Sequence, residues 1–521
     1  MSKPKLIQRE KSSLLAVRSL ANQAFSRAAG APLIGGNSIR LLRDAKENYP
    51  AWLDAIKAAE HYVHFESYII HEDDAGRMFA DALIAKAREG VRVRVIYDWL
   101  GGLGNTSRSF WKHLRAGGVE VRCYNPIQLE SPFGWISRDH RKTLTVDGRV
   151  GFVTGLCVGR MWVGIPEKKI DPWRDTGIEV RGPSVANIEQ AFAQVWNITG
   201  DDLPAGEIAD AGEIPSAGDV MLRVVATEPA SAGMLRVDQL VATLARDRLW
   251  LTDAYYAGTT SYVQALRSAA KDGVDVRLLV PNASDIPILK PLSRAGYRPL
   301  LEAGVRVFEW NGTMLHAKTA VADCTWARVG STNLNIASWF GNLELDVVVE
   351  DVPFAVEMEE MYLRDLESAT EIVLDARHKL RKPGAPVESR PAATSGGGSG
   401  GRAAAGAIRL GNAVGAAFTN RRVLEPVEAR LMLMAALIVL GLAALWWFFP
   451  RGFAYPFIFL LLWISLALFY RAYKLKFHGD DQTLVNRHVE AKQQVDSAVE
   501  REVGNDRKVI RSRQRKPAAM D

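Results

Sequence analysis

Residues 139–155, DHRKTLTVDGRVGFVTG, and residues 315–333, LHAKTAVADCTWARVGSTN, hold two copies of one pattern, His-x-Lys-x4-Asp. The first copy is His140, Lys142 and Asp147, and the second is His316, Lys318 and Asp323. Lys142 opens an alternating run, Thr143-Leu144-Thr145-Val146, so the spacing predicts a strand on which His140 and Lys142 leave the same face. Such a strand presents an imidazole able to act as a nucleophile beside a fixed positive charge. Asp147-Gly148 reads as a tight hairpin turn into a second strand, Arg149 to Thr154, which makes Asp147 more a turn-locking residue than a reactant, although both motif aspartates are kept with the catalytic set. Asp323 ends the matching strand of the second copy.

The surroundings of the two copies match as well. Before the first, the pattern predicts a helix over 51–60, a strand over 62–70, a helix over 75–89 closed by Gly90, a strand over 91–97, a helix over 107–116 and a strand over 119–124. Before the second it predicts a strand over 248–256, a helix over 261–270, a strand over 274–280, a helix over 291–303 and a strand over 305–310. The two histidines stand 176 residues apart in this repeated order. Strands alternating with helices imply parallel α/β units, and a duplication implies two similar lobes facing each other. One His–Lys pair cannot both attack a phosphorus and protonate the group leaving from its far side, whereas two pairs meeting at a pseudo-twofold axis can.

A chain of 521 residues is too long for one ordinary core, and its 48% hydrophobic and 24% charged content is that of a globular protein. The net charge of +6 sits at the ends: residues 1–29 carry +5, residues 471–521 carry +4, and the rest −3. The central body is therefore not a basic surface built for nucleic acid. Cys123, Cys157 and Cys324 form no metal-ligand spacing, and three scattered cysteines fit a reducing compartment. The cluster His71-Glu72-Asp73-Asp74 falls between a strand and a helix, where Asp caps free amides rather than holding a metal.

These stretches resemble the phospholipase D superfamily and, within it, the bacterial cardiolipin synthase-like phosphatidyltransferases. The match is carried by LIGGNSIRLL and YVHFESYIIH within 33–71, both motif stretches, PWRDTGIEVRGPSV at 172–185, and NLELDVVVED after the second motif. It covers about 35 to 375. The fold it implies is a pair of duplicated α/β/α domains with mixed, largely parallel sheets about a pseudo-twofold axis. By resemblance His140 attacks phosphorus and His316 protonates the leaving alcohol; the residues read alone allow the reverse. Lys142 and Lys318 then supply the charge that other phosphoryl-transfer enzymes take from a metal, so no cofactor is expected. The resemblance assigns Glu344 to orient His140 and Asp175 to orient His316, and it makes Gly155, Ser331 and Asn333 phosphate contacts. Glu66, Tyr68, Tyr255 and Tyr256 sit at strand ends that this fold aims at the cleft. The family's Gly-Gly-x-Asn run is Thr154-Gly155-Leu156-Cys157 after the first motif, and Asn335 and Ala337 stand where relatives carry Asp and Arg. The two halves are therefore expected to bind phosphate unequally.

The implied activity is transfer of a phosphatidyl group through a phosphohistidine to an alcohol, with cardiolipin made from phosphatidylglycerol. Hydrolysis to phosphatidic acid and a nuclease or phosphodiesterase are the alternatives. Residues 379–402 are Pro, Gly and Ser rich, and 379–420 reads as a linker. Residues 431–449 and 453–470 are uncharged apolar runs, each about 28 Å long as a helix, which predicts a transmembrane hairpin over 421–476. Arg421, Arg422 and Arg430 on one side and Arg471, Lys474 and Lys476 on the other predict that both ends are cytoplasmic. The expected partners are phospholipid and the inner leaflet of the bacterial inner membrane, with nucleic acid disfavoured and no oligomeric state specified. The remaining expected segments are a basic stretch over 1–34, read as an amphipathic or surface helix, lobes over 35–215 and 216–378, and a charged tail over 477–521.

Overall fold

The computed structural model describes residues 20–127, 136–204, 206–286, 289–374, 380–381 and 444–477, with isolated positions at 437, 440 and 441. The strands of the large body are β1 (Ile34–Arg43), β2 (Tyr62–Ser67), β3 (Arg92–Asp98), β4 (Glu120–Tyr124), β5 (Lys142–Val146), β6 (Val150–Thr154) and β7 (Thr176–Arg181) in the first repeat. The second repeat supplies β8 (Val220–Thr227), β9 (Arg248–Thr252), β10 (Asp275–Pro281), β11 (Arg306–Trp310), β12 (Thr319–Ala322), β13 (Trp326–Gly330) and β14 (Glu344–Glu350). Two further strands, β15 (Ala369–Leu374) and β16 (Leu380–Arg381), follow it.

All of them belong to one sheet, in the order β4-β3-β2-β5-β6-β7-β1-β8-β14-β13-β12-β9-β10-β11-β15-β16. Adding seven to each label of the first repeat gives the second repeat in mirror order about the β1–β8 pair, so the duplication read from the motifs is a duplication of strand order. The lobes do not own separate sheets: β1 and β8 pair antiparallel through Ile34–Leu222 and Asn37–Val220, with an irregularity between. Asn37 bridges this seam, its amide donating to the Val220 carbonyl at 3.4 Å and to its own strand's Ile34 carbonyl at 2.9 Å, while its oxygen accepts from the Ser184 N–H at 2.9 Å.

The expectation of a largely parallel sheet is corrected. Only β2–β3, β3–β4, β9–β10 and β10–β11 are parallel, and the other pairings are antiparallel. The β-helix-β crossovers force parallel pairing in each repeat, whereas the motif strand returns through a two-residue turn and must pair antiparallel. The helix over Asp74–Arg88 shows how a crossover is held. Asp73 caps it, accepting from the Gly76 N–H at 3.1 Å, and Phe79, Ala80, Leu83 and Ile84 recur on its buried face. Full burial of each large apolar side chain there stabilises by about 1.5–3 kcal/mol. Leu83→Ala would cost about 2–5 kcal/mol.

Local boundaries shift where a single residue was misread. The first helix spans Asp44–Lys57 with Pro50 inside it, so it begins well before the predicted start at 51. The predicted helix over 291–303 is two short ones, Leu289–Ala295 and Tyr297–Glu302, separated by Gly296, a poor helix former. Residues 20–29 are helical but do not form a free amphipathic surface helix. Ala28, Ala29 and Phe25 pack into the second repeat's core, and the buried Arg223 donates to Ser26 Oγ at 2.6 Å and to Asn22. Residues 1–19, most of the linker and the 477–521 tail beyond Phe477 lie outside the described residues.

The predicted transmembrane hairpin lies partly outside the described residues. Most of 431–449 lies outside them, and among the described residues no helix is long and apolar enough to cross a membrane. The helix Pro450–Phe477 starts at the turn that was expected to separate two spans. Proline suits a first helical position, where its missing N–H has no intrahelical partner to lose.

Candidate active site

Both histidines enter just ahead of the motif strands, β5 and β12, and each is stitched to a segment of the other repeat. The His140 N–H donates to the Leu343 carbonyl at 2.9 Å, and the Leu343 N–H donates to the Arg138 carbonyl at 2.8 Å. In the other half the His316 N–H donates to the Arg174 carbonyl at 2.7 Å, and the Arg174 N–H to the Met314 carbonyl at 2.8 Å. The residue following each stitched partner is the orienting carboxylate. Glu344 Oε2 lies 2.9 Å from His140 Nδ1, and Asp175 Oδ2 lies 2.7 Å from His316 Nδ1. Each imidazole is therefore oriented through Nδ1 by a carboxylate of the opposite repeat.

Strand register confirms that the two carboxylates are equivalents. Thr154 pairs with Gly177 and Gly330 with Asp346, so Asp175 and Glu344 stand two residues before matching positions. Asp175 is further fixed through its backbone, its N–H donating to Asp44 Oδ1 at 2.8 Å and its carbonyl accepting from the Asp44 N–H at 3.0 Å. Lys142 and Lys318 are buried, each donating to the carbonyl of its own histidine. Lys318 Nζ also lies 3.1 Å from His316 Nδ1 and 3.2 Å from Nε2.

Burial sets the protonation states, and the lysines reinforce it. His140 is held below the ordinary imidazole range by burial and by Lys142 and Lys318, against the pull of Glu344. His316 is pushed down to about 3 by burial and then Lys318 and Lys142, with Asp175 opposing. Lys318 is pushed down to about 8 by burial, helped by Lys142 and opposed by Asp175. Burial would raise Asp175 and Glu344, yet the facing histidines and lysines hold both below the usual carboxylate range. The two carboxylates are thus held ionised, and His140 is held toward the neutral form that an imidazole nucleophile needs.

Asp147 and Asp323 are not at this centre. Asp147 takes φ +53° at the β5–β6 turn and accepts the N–H groups of Glu60 at 2.8 Å, His61 at 2.9 Å and Tyr62 at 2.7 Å. Asp323, at φ +50°, does the same for Arg246 at 2.8 Å, Asp247 at 2.9 Å and Arg248 at 2.9 Å. The last residue of the motif locks the start of β2 or β9 onto the turn, at the strand end away from the histidine, and its place among catalytic residues is corrected accordingly.

Gly155 is likewise no free phosphate donor, because its N–H is taken by the Thr176 carbonyl at 3.1 Å. A side chain there would put Cβ 2.2 Å from Asp175 Oδ1, so the glycine makes room for the carboxylate. Its counterpart Ser331 has Oγ 2.9 Å from the Leu345 N–H and also interacts with Glu344. Asn333 is buried with Oδ1 unmatched by a donor among the described residues, while Cys157 fills the equivalent place in the first half. Tyr68 meets the His140 ring edge-on with centroids 5.1 Å apart, and Tyr255 meets His316 at 5.8 Å. The lysines lie over the same two tyrosines, Lys142 at 5.3 Å and Lys318 at 5.8 Å.

Glu66 and Tyr256 are both buried rather than exposed at a surface. Glu66 is fully buried and accepts from Thr143 Oγ1 at 3.0 Å, and Tyr256 is core, its hydroxyl pushed upward by burial. Sequence reasoning missed Trp162 and Trp173, whose rings lie 5.7 and 5.6 Å from His316, and Asn342, whose amide donates to Glu344 Oε1 at 3.2 Å. PWRDTG drew attention to Trp173's neighbourhood, but no spacing marks Trp162. A cavity of about 680 Å³ lies by the β5–β6 turn, lined by Arg40, Asp147, Arg149 and Glu179, and neither motif histidine lines it.

The fold and the two cross-braced His–Lys sets define a two-motif phospholipase D-like enzyme. A family model described as cardiolipin synthase, PLD-like domain, matches residues 52–196 and 241–366, and the chain belongs to that family. A cardiolipin synthase of Alkalihalophilus pseudofirmus is 34% identical over 345 residues, covering 66% of this chain and 68% of that protein. Cardiolipin synthase A of Pseudomonas putida is 32% identical over 392 residues, covering 73% and 78%. The phosphatidylserine synthase of Haemophilus influenzae shares the fold with a TM-score of 0.54 at 14% identity, over 67% of this chain and 91% of the other.

Proposed function

We propose that this protein is a phosphatidyltransferase that makes cardiolipin from phosphatidylglycerol. The observation that carries the reading is the pair of imidazoles, each backed at 2.9 and 2.7 Å by a carboxylate of the opposite repeat, in a chain of the cardiolipin synthase family. His140 Nε2 attacks the phosphorus of the donor. The bond to the leaving glycerol oxygen breaks as His316, which carries a proton once the anionic phosphodiester offsets the lysine charge beside it, passes that proton on, leaving a phosphatidyl-histidine. A second phosphatidylglycerol enters, His316 takes the proton of its free hydroxyl, and that oxygen displaces His140. Lys142 and Lys318 offset the charge on the phosphoryl oxygens in both steps. Asn333, buried with Oδ1 unpartnered among the described residues, is assigned to the phosphate contacts in the same reading. Roles for Tyr68 and Tyr255 as cleft walls belong to the same reading, as do lobes over 35–215 and 216–378.

The lipid substrate argues for membrane seating. The apolar runs 431–449 and 453–470 serve as the anchor, both ends cytoplasmic, with the catalytic body at the inner leaflet of the bacterial inner membrane. The test is product analysis of the purified full chain with phosphatidylglycerol in liposomes and His140→Ala as control. Cardiolipin plus glycerol, lost in the control, is the expected result. Phosphatidic acid alone would make the enzyme a hydrolase, and absence of product would overturn the lipid reading.

A further inference from the structure

The two carboxylates that orient the histidines are not loaded alike. Glu344 gives Oε2 to His140, and the Asn342 amide sits on the other oxygen, Oε1, at 3.2 Å. Asp175 gives Oδ2 to His316 at 2.7 Å and accepts a second donor on that same oxygen, the indole N–H of Trp162 at 3.1 Å. Its Oδ1 takes the Thr176 N–H at 2.9 Å.

Trp162 is held for this contact. It is 2% exposed on a short helical turn, Arg160–Val163. Asp73 accepts the Arg160 N–H at 2.6 Å, and Tyr49 Oη accepts the Gly159 N–H at 3.0 Å. The Trp173 ring packs at 5.0 Å on its other side. An oxygen that already accepts one N–H has less negative potential to offer a second donor, and the effect is greatest where burial excludes water.

We propose that Trp162 is a positioning residue: by donating to the Asp175 oxygen that holds His316, it weakens that carboxylate's grip on the imidazolium and makes His316 the readier proton donor of the pair. The inference rests on the transfer reading for the role of His316, and it supplies what the residues alone left open, namely which histidine gives the proton. The charged and titratable groups around His316 are Asp175, Lys318, Lys142 and Tyr255, with Arg174, Asp44, Cys157 and Tyr49 behind Asp175. Trp162→Phe leaves all of these in place and deletes one N–H.

The test is the titration of His316 in the full chain in detergent micelles, followed by NMR with ring-labelled histidine and assigned by difference against His316→Gln. In Trp162→Phe the His316 ring should titrate about one unit higher than in the wild type, with His140 unmoved. A His316 titration that stays put, or a His140 titration that moves equally, overturns the proposal. If the phenylalanine variant is unfolded, benzothienylalanine incorporated at position 162 keeps the ring shape without the N–H and carries the same expectation.

Turnover supplies a second readout. A phosphatidyl substrate with a p-nitrophenol leaving group needs no proton from the enzyme. The ratio of kcat on phosphatidylglycerol to kcat on that substrate should move about threefold or more in Trp162→Phe, with KM held. Equal changes on both substrates would reduce Trp162 to a packing residue. A wild-type chain that turns over neither lipid would refute the transfer reading, and the ring titration would still decide the proposal.

Discussion

The first and second repeats build the same seven-strand order around the same motif, yet they deliver unlike histidines. The His140 side chain is 12% exposed and meets one aromatic ring, Tyr68, whereas the His316 side chain is 7% exposed among Trp162, Trp173 and Tyr255. The duplicated backbone gives the geometry of two opposed imidazoles. Substitutions at equivalent places, Gly155 against Ser331 and Cys157 against Asn333, make one half a tight carboxylate seat and the other a polar one. A gene duplication yields symmetric reactants, but displacement at phosphorus needs an attacking and a donating group, so divergence of the halves is where roles can separate.

The largest effect should come from removing either imidazole. His140→Ala and His316→Ala each lose about 10⁴-fold or more in kcat on phosphatidylglycerol. With the p-nitrophenol leaving group, single turnovers quenched with detergent at mildly alkaline pH, where the P–N bond survives, should still trap a phosphoenzyme in His316→Ala and none in His140→Ala. The opposite pattern reverses the two roles. Next come the carboxylates. Glu344→Gln and Asp175→Asn should cost about 10²–10⁴-fold through the histidine of the opposite repeat, and a double-mutant cycle should show Glu344 coupled to His140 and not to His316. Coupling within a repeat would break the crosswise arrangement.

Gly155→Ala should follow at about 100-fold, because the new Cβ must displace Asp175, while Ser331→Ala costs far less. Equal losses would remove this difference between the halves. A pH effect is expected from Lys318. It is charged below about 8 and neutral above, so activity should fall as pH rises through about 8, and Lys318→Arg should remove that fall since guanidinium stays charged. The smallest catalytic effect belongs to the motif aspartates. Asp147→Asn and Asp323→Asn should each lower unfolding free energy by about 1–3 kcal/mol in urea titration and leave kcat unchanged. A kcat loss with unaltered stability would return them to the catalytic set.

Much of this was legible in residue order. The His–Lys spacing, the turn at Asp147-Gly148 and the alternation of strands and helices are local, governed by backbone periodicity and turn chemistry, and they appear at or near the expected positions. The direction of strand pairing was misjudged because the parallel crossovers dominate the visible pattern, whereas the short antiparallel returns around β5, β6 and β7 are fixed only when the sheet assembles. Glu66 and Tyr256 show the same limit, since a strand end fixes where a side chain leaves the backbone but not whether a neighbouring segment covers it.

The sequence alone singled out the candidate reacting groups, because imidazole and ammonium at a two-residue spacing, repeated once, suit displacement at phosphorus. Tertiary structure decided which carboxylate serves which histidine, that Gly155 is a space for Asp175, and that Trp162 shares an oxygen with His316. Those contacts join residues up to 204 positions apart across the two repeats, where hydrogen bonding depends on a fraction of an ångström that no spacing along the chain can encode.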